Sequence, residues 1–441
     1  MAVEEALDTG TPNQCHANNS GSCGTSHLDE YAATERKTTL PFYAALSQSQ
    51  LRRYSRQMLI HNFGPEAQRR LLNTTVLIIG AGGLGCPASM YLAGAGVKKI
   101  ILVDHDVVDS SNLHRQVGHS ELRQGILKTE SLAQQLLELN SEVEIETHST
   151  KFSSDNGLLL VQGCDIVIDA TDNPATRYMV NDACVLGGKP LVSGAALGMN
   201  GQLSVYNYDG GPCYRCLYPQ PPPQGSFTSC ADGGVLGPIP GAIGVLQALE
   251  TIKIATQVGK PLNGRLLIWD GEDSRFRVVN MKGPRSDCSA CSKDNRTIHS
   301  LEDTTEFCAC NGLVSDEDSS FKSAASHEVS STEILNGDPV DGILLDVRPE
   351  CQFNMCHLEG FHNIPLKKLD LWLRRGKKDS HDDSALEELQ ETNGPVYVMC
   401  RRGNDSVAAT NMLRDQGVEA YNIIGGYNAY RQQVDPSYPD Y

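Results

Sequence analysis

Two α/β units in tandem are predicted for this chain, a doubly wound parallel sheet followed by a smaller α/β domain, and three observations carry the prediction. Residues 75–106 hold an apolar run from Val76 to Ile79, the loop Gly80-Ala81-Gly82-Gly83-Leu84-Gly85, a helical pattern of small and apolar residues (Ala88, Leu92, Ala95) and a second apolar run ending at Asp104, which together make one βαβ unit. A second strand, loop and helix recur near the C-terminus, where Val396-Tyr397-Val398-Met399 delivers Cys400 into Arg401-Arg402-Gly403-Asn404-Asp405-Ser406 and the helical pattern of residues 407–417. Between them a polar, acidic stretch at 295–328 reads as a linker.

Length and charge agree. At 441 residues the chain exceeds one typical core, so two domains plus tails are expected. Lys and Arg number 37 against 54 Asp and Glu, a net charge of −17, and no local basic patch offsets it; nucleic acid is therefore not an expected direct partner. No apolar run approaches the ~18 residues needed to cross a bilayer. The acidic N-terminus (Glu4, Glu5, Asp8) lacks a signal core and an Arg-rich amphipathic pattern, so a cytosolic protein is expected. Fifteen cysteines in so long a chain fit reduced thiols and metal ligation better than a disulfide framework.

Residues 1–44, rich in Ser, Thr, Asn, Gly and Glu, read as a disordered tail, and the first domain is expected over 45–294. Residues 47–72 have helical spacing and carry Arg52, Arg53 and Arg56, either a solvated face or a source of an arginine that reaches a triphosphate on a neighbouring subunit. Glycines 80, 82 and 85 permit a tight turn and close approach of strand, helix and phosphate, with Asp104 placed to accept from ribose hydroxyls. This stretch alone does not distinguish ATP from a dinucleotide. After Asp104 the polar loop continues to Arg115, placed for phosphate oxygens. An amphipathic helix follows at 125–140, with Lys128 in its first turn. A cation there opposes the helix dipole unless a bound anion offsets it; the alternative is a surface lysine. Strands at 143–146 and 166–168 lead to Asp172 and Asn173, which suit either Mg²⁺ beside phosphates or a turn and helix cap. Runs 191–195 and 202–206 extend the sheet.

Cys213 and Cys216 form one CxxC and Cys288 and Cys291 another, the ligand set of a closed, structural zinc site. Between them a Pro/Gly-rich loop carries Cys230 just before an apolar helical run, so Cys230 is either a reactive thiol or a buried one. The second domain, expected over 329–441, opens with a buried strand ending at Asp346 and Arg348. Its Cys400 loop is a nest of N–H groups and arginines suited to an anionic sulfur.

Gly82-Gly83-Leu84-Gly85-Cys86-Pro87, the segment from Ser111 to Gln116, Asp172-Asn173, Gly211-Pro212-Cys213-Tyr214-Arg215-Cys216, the Cys230-Ala231-Asp232-Gly233-Gly234 run and the final thiol loop together resemble a two-domain adenylyltransferase and sulfurtransferase family. The first half is similar to ubiquitin-activating-type (ThiF/MoeB-like) adenylation domains and the second to rhodanese. The resemblance covers roughly 47–441. It implies ATP contacts at Gly83, Asp104, Ser111, Asn112, Leu113, His114, Arg115, Lys128, Asp172 and Asn173, with Arg56 reaching the partner subunit of a homodimer. It also implies one structural zinc per subunit on the four CxxC cysteines, a persulfide on Cys400, and Cys230 as either a thioester or a resolving thiol. The implied substrates are MgATP and small ubiquitin-fold sulfur carriers (the molybdopterin synthase small subunit and a ubiquitin-related modifier), with a cysteine desulfurase or other persulfide donor. The product is a carrier thiocarboxylate for molybdenum cofactor synthesis and 2-thiolation of tRNA wobble uridine. Arg402 departs from the apolar residue that several relatives carry before Gly403.

Three other readings fit parts of the chain. An NAD-dependent oxidoreductase accounts for the Gly-rich loop, but not for Arg115, Lys128 and Asp172 converging on a triphosphate and metal. A cysteine phosphatase accounts for the strand-end thiol, but the C-x5-R pattern requires arginine where Ser406 stands. A non-catalytic scaffold for ubiquitin-fold partners leaves both thiols and the adenylation set without use.

Overall fold

The computed structural model describes residues 46–221, 233–310, 327–335, 340–375, 384–391 and 394–439. Eight strands form the first sheet: β1 (Thr75–Ile79), β2 (Lys99–Val103), β3 (Glu144–His148), β4 (Ile166–Asp169), β5 (Leu191–Leu197), β6 (Asn200–Tyr206), β7 (Arg265–Asp270) and β8 (Arg275–Asn280). Their order is β3-β2-β1-β4-β5-β6-β7-β8. Pairing is parallel from β3 to β5 and antiparallel from β5 to β8. The chain winds outward from β1 through β2 to β3 and then returns to β4. A crevice therefore opens at the carboxyl ends of β1 and β4, where doubly wound sheets bind ligands.

Alternation along β1 and β2 builds both faces. Val76, Ile78, Ile100 and Leu102 pack into one core cluster with Leu92, Leu132 and Ile243, while Leu77, Ile79, Ile101 and Val103 pack into another with Val161, Val180 and Leu301. Helices Gly85–Ala95, Lys128–Leu139 and Pro238–Thr256 cover the first face and Gly157–Gln162 and Pro174–Gly187 the second. The helical stretch expected at 47–72 is two helices, Gln48–Met58 and Gly64–Leu71, because Asn62 between them and Gly64 at the start of the second adopt positive φ. The stretch read as linker from 295 holds a helix, Leu301–Cys310, with Leu301 buried in the second cluster.

The second sheet comprises β9 (Glu328–Val329), β10 (Ile343–Asp346), β11 (Phe361–Asn363), β12 (Val396–Met399) and β13 (Ala420–Ile423), in the order β11-β10-β12-β13-β9, all parallel. Leu345, Val396 and Val398 face one cluster with Trp372 and Leu413; Leu344, Met399 and Ile423 face another with Tyr427 and Tyr438. Among the described residues no helix is long and apolar enough to cross a membrane.

Candidate active sites

A cavity of about 520 Å³ opens at the carboxyl ends of β1, β2 and β4. Its floor is the Gly-rich loop. A Cβ on Gly85 would stand 1.9 Å from the Gly80 carbonyl oxygen, so only glycine lets the helix start this close to the strand. Helix Gly85–Ala95 has no side-chain cap; the Cys86 amide donates to the Gly82 carbonyl at 3.0 Å and Pro87 has no N–H, so the Gly85 amide is the one its first turn leaves to a ligand. The loop is held from two sides. The Asp104 carboxylate accepts from the Ala81 amide at 2.7 Å and the Asp106 amide at 2.9 Å, keeping one further acceptor position on each oxygen. Buried His119 lies 2.9 Å through Nε2 from the Ala81 carbonyl and 2.9 Å through Nδ1 from the Ser131 hydroxyl. Burial pushes the His119 pKa down, which favours a neutral ring donating from Nε2 and accepting at Nδ1.

Three cations, Arg115, Lys128 and Lys151, line the cavity with Asp104, Asp106 and Asp172. Lys128, the first residue of its helix, is buried and donates to Asp106 Oδ2 at 2.7 Å. Burial pushes the Asp106 carboxyl up, but the bond and charge of Lys128 outweigh it and hold it below the usual carboxylate range. The anion that offsets Lys128 against the helix dipole is thus supplied by the protein itself. Arg115 reaches Asn112 Oδ1 at 2.6 Å, and Ser110–Asn112 is a 3₁₀ turn capped by Asp109. Of Ser111, Asn112, Leu113, His114 and Arg115, only Arg115 lines the cavity. Gly83 and Asn173 line it too. Asn173 caps helix Pro174–Gly187, accepting from the amides of Ala175 at 2.8 Å and Thr176 at 3.3 Å. Its neighbour Asp172 is exposed at the rim.

Below Asp172 lies an ion pair, its acid fully buried and its arginine partly so, that sequence reasoning missed. Asp169 Oδ2 accepts from Arg177 Nε at 2.8 Å and the Ser193 hydroxyl at 2.7 Å, and Arg177 also donates to the carbonyls of Thr171 and Gly194. The only sequence cue was an acid ending β4 with an arginine one turn into the next helix.

The four CxxC cysteines converge. Sγ separations are 3.8 Å for Cys213–Cys216, 3.5 Å for Cys213–Cys288 and 3.3 Å for Cys216–Cys291, and all four sulfurs lie within 4.8 Å of one another. A tetrahedral ion with bonds of ~2.3 Å to sulfur has edges of ~3.8 Å, so the set is sized to hold a metal ion. The Arg285 amide donates to Cys216 Sγ at 3.4 Å, an outer contact of the kind that orients thiolate ligands.

Cys400 follows β12 and is buried. Its Sγ accepts from the Gly403 amide at 3.1 Å and lies 3.3 Å from Ser406 Oγ. Burial pushes the thiol above its ordinary range, the Ser406 hydrogen bond pulls it back, Asp405 adds to the rise, and the amides of Ser406 and Gly403 oppose it. The nest expected to favour an anion exists, but removal from water outweighs it and the resting group is a neutral thiol. The Tyr427 and Asn428 amides donate to the carbonyls of Cys400 and Arg401, both at 3.0 Å, and brace the loop.

The ThiF family model matches residues 54–290, and the rhodanese-like domain model matches 331–433. The chain belongs to the ThiF family. Relatives named adenylyltransferase and sulfurtransferase MOCS3 extend the match across both halves. The one from Aedes aegypti is 46% identical over 404 residues, covering 90% of each chain. Those from Arabidopsis thaliana and Mus musculus are 44% and 42% identical, each over 90% of this chain and over 86% and 89% of their own lengths. The crystal structure of E. coli MccB with MccA-N7isoASN aligns with a TM-score of 0.50 at 27% identity, over 57% of this chain and 76% of that one. This ThiF–rhodanese chain is an adenylyltransferase and a sulfurtransferase.

Within the ThiF match Arg56 is exposed on helix Gln48–Met58 and does not line the cavity of its own chain. Cys230 lies outside the described residues.

Proposed function

We propose that the ThiF half activates the C-terminal carboxylate of a small ubiquitin-fold sulfur carrier with MgATP, and that the rhodanese half converts it to a thiocarboxylate through a persulfide on Cys400. One observation carries the reading: a single chain combines a phosphate-loop cavity rimmed by three cations and an exposed acid with a strand-end thiol seated in a helix-start cradle. The carrier carboxylate attacks the α-phosphate and pyrophosphate leaves, giving an acyl-adenylate. Arg115 and Lys128 meet the developing phosphate charge, and Asp172 holds the Mg²⁺ of the nucleotide through one carboxylate plus waters. The terminal sulfur of the persulfide then attacks the acyl carbon, AMP leaves, and an acyl-disulfide joins carrier to Cys400. A thiol attacking Cys400 Sγ releases the thiocarboxylate and keeps the other sulfur in a disulfide; Cys230 is a candidate for that thiol or for an intervening thioester. Sulfur reaches Cys400 from a cysteine desulfurase or another persulfide donor, and the product feeds molybdopterin synthesis and tRNA wobble-uridine thiolation.

In the same reading the four-cysteine metal is one structural zinc per chain, which the sulfur spacing supports and which clamps residues 213–216 to 288–291. Two chains form a homodimer in which Arg56 serves the partner's adenylation site. The first domain is 45–294 as read from sequence, extended by helix Leu301–Cys310 out of the stretch read as linker, and the second is 329–441. The eleven cysteines from Cys86 to Cys400 whose side chains are described form no disulfide, which fits a reducing compartment such as the cytosol.

The test mixes protein, MgATP, a sulfur donor and a Gly-Gly-ended carrier and weighs the carrier. Replacement of one oxygen by one sulfur is expected. Asp172→Ala is expected to abolish carrier-dependent ATP–pyrophosphate exchange while sparing thiosulfate:cyanide sulfur transfer, and Cys400→Ala to do the reverse. Loss of both activities in either variant overturns the two-site division.

A further inference from the structure

Helix Leu301–Cys310 lies beyond the matched ThiF segment, yet it shares in the nucleotide cavity. Its residues 301, 304, 305 and 308 form an i, i+3, i+4, i+7 stripe. Leu301 is buried against the sheet. Thr304 is fully buried and donates its hydroxyl to Asp182 Oδ2 at 2.8 Å. Thr305 and Cys308, the next positions on the stripe, line the cavity beside Thr176 and Met179.

Asp182 is in turn gripped by Arg215, whose Nη2 and Nε donate at 2.7 and 2.9 Å; both side chains are fully buried. Arg215 sits in the single helical turn between Cys213 and Cys216. Its guanidinium carbon lies 4.0 Å from the ring centroid of Phe307, on the same helix as Thr304. The Arg215 Nη1 atom is buried with no hydrogen-bond partner among the described residues, so Asp182, the Phe307 ring and the Tyr178 ring at 4.9 Å compensate this charge. Sliding the helix would separate the ring from the cation and the hydroxyl from the carboxylate together.

We propose that helix Leu301–Cys310 is a wall of the nucleotide cavity and that Thr304, acting through Asp182 and Arg215, is a positioning residue for nucleotide binding. This rests on the cavity's being the ATP site. It assigns a binding role to a segment whose composition is that of a linker.

The experiment uses the full chain and peptide-resolved alkylation of Cys308, alongside the ATP dependence of carrier-driven ATP–pyrophosphate exchange. In the unaltered protein MgATP is expected to slow Cys308 alkylation about five-fold or more. Thr304→Val is expected to raise the KM for ATP about five-fold with kcat within about two-fold, and to speed Cys308 alkylation about ten-fold, since it removes a bond to a charged group. Thr304→Ser keeps the hydroxyl and is expected to restore both. If the unaltered protein catalyses exchange but MgATP leaves Cys308 alkylation unchanged, the wall assignment falls and the ATP reading stands. If it neither exchanges nor binds MgATP, both fall. Faster alkylation in Thr304→Val without a change in KM overturns the positioning role.

Discussion

Replacing Gly426 by alanine is expected to disable the sulfurtransferase half without touching the chemistry of Cys400 itself. Gly426 has φ of +58°, and a Cβ there would stand 2.0 Å from the Cys400 carbonyl oxygen, 2.9 Å from its carbon and 3.0 Å from the Arg401 carbonyl carbon. These are backbone atoms, so no rotamer change relieves the clash. The left-handed conformation costs an alanine roughly 1–2 kcal/mol. Pushing the loop away also breaks the bonds from the Tyr427 and Asn428 amides, worth about 1 kcal/mol each. The sum, about 3–4 kcal/mol, is a large share of the ~5–15 kcal/mol that holds a domain together. The chain has two tryptophans, of which Trp372 is buried in the second domain's core. In a Trp269→Phe background, Trp372 fluorescence reports urea unfolding of that domain alone. Gly426→Ala is expected to lower the unfolding midpoint and cut thiosulfate:cyanide transfer about 100-fold, with ATP–pyrophosphate exchange unchanged. An unaltered midpoint with transfer within about two-fold of the parent would refute the reasoning.

Lys128→Met removes the buried cavity cation, and carrier-dependent ATP–pyrophosphate exchange is expected to fall about 100-fold or more while Cys400 transfer persists; exchange near the parent rate would assign Lys128 only to its ion pair with Asp106. Cys400 titrates above the ordinary thiol range of about 8.5, so its alkylation rate is expected to keep rising past that pH. The matching contribution to stability is complete below the unfolded thiol's pKa and is lost as pH rises through the folded one. A reactivity midpoint below the free-cysteine value would show that the nest, not burial, dominates. Cys291→Ser is expected to leave the protein with little bound zinc by elemental analysis and a lower thermal midpoint for the ThiF half, and retention of equimolar zinc would remove Cys291 from the ligand set.

What could be read from the sequence was what has a local signature. β1, the glycine loop, its helix and β2 follow one another in a pattern that only a βαβ unit satisfies, and β12 with Cys400 repeats the logic. The CxxC pairs were legible because thiolate spacing is itself a chemical requirement. What escaped was set by partners distant in sequence. Lys128 looked like a cation awaiting an anion because Asp106 is 22 residues away. Helix Leu301–Cys310 looked like linker because half of its residues are polar and an acidic, Ser-rich stretch follows it in the sequence, and Asp182, Arg215 and the core that seat it come from elsewhere in the chain. Asn173 shows the reverse: its capping role was one of two local readings, and the backbone amides it accepts make that role visible.

The cysteine cluster joins residues that are 75 positions apart, Cys213 to Cys288 and Cys216 to Cys291. During synthesis at about 5–20 residues per second, the first pair emerges some 4–15 s before its counterpart exists. For that interval a nascent chain exposes two thiols that no ion can hold in a closed site, while β7 and β8 are still being added. On the proposed zinc reading, metal capture is therefore a late event in biogenesis. Ribosomes stalled between the two pairs would release a product whose sheet is unfinished and whose thiols remain open to oxidants and chaperones.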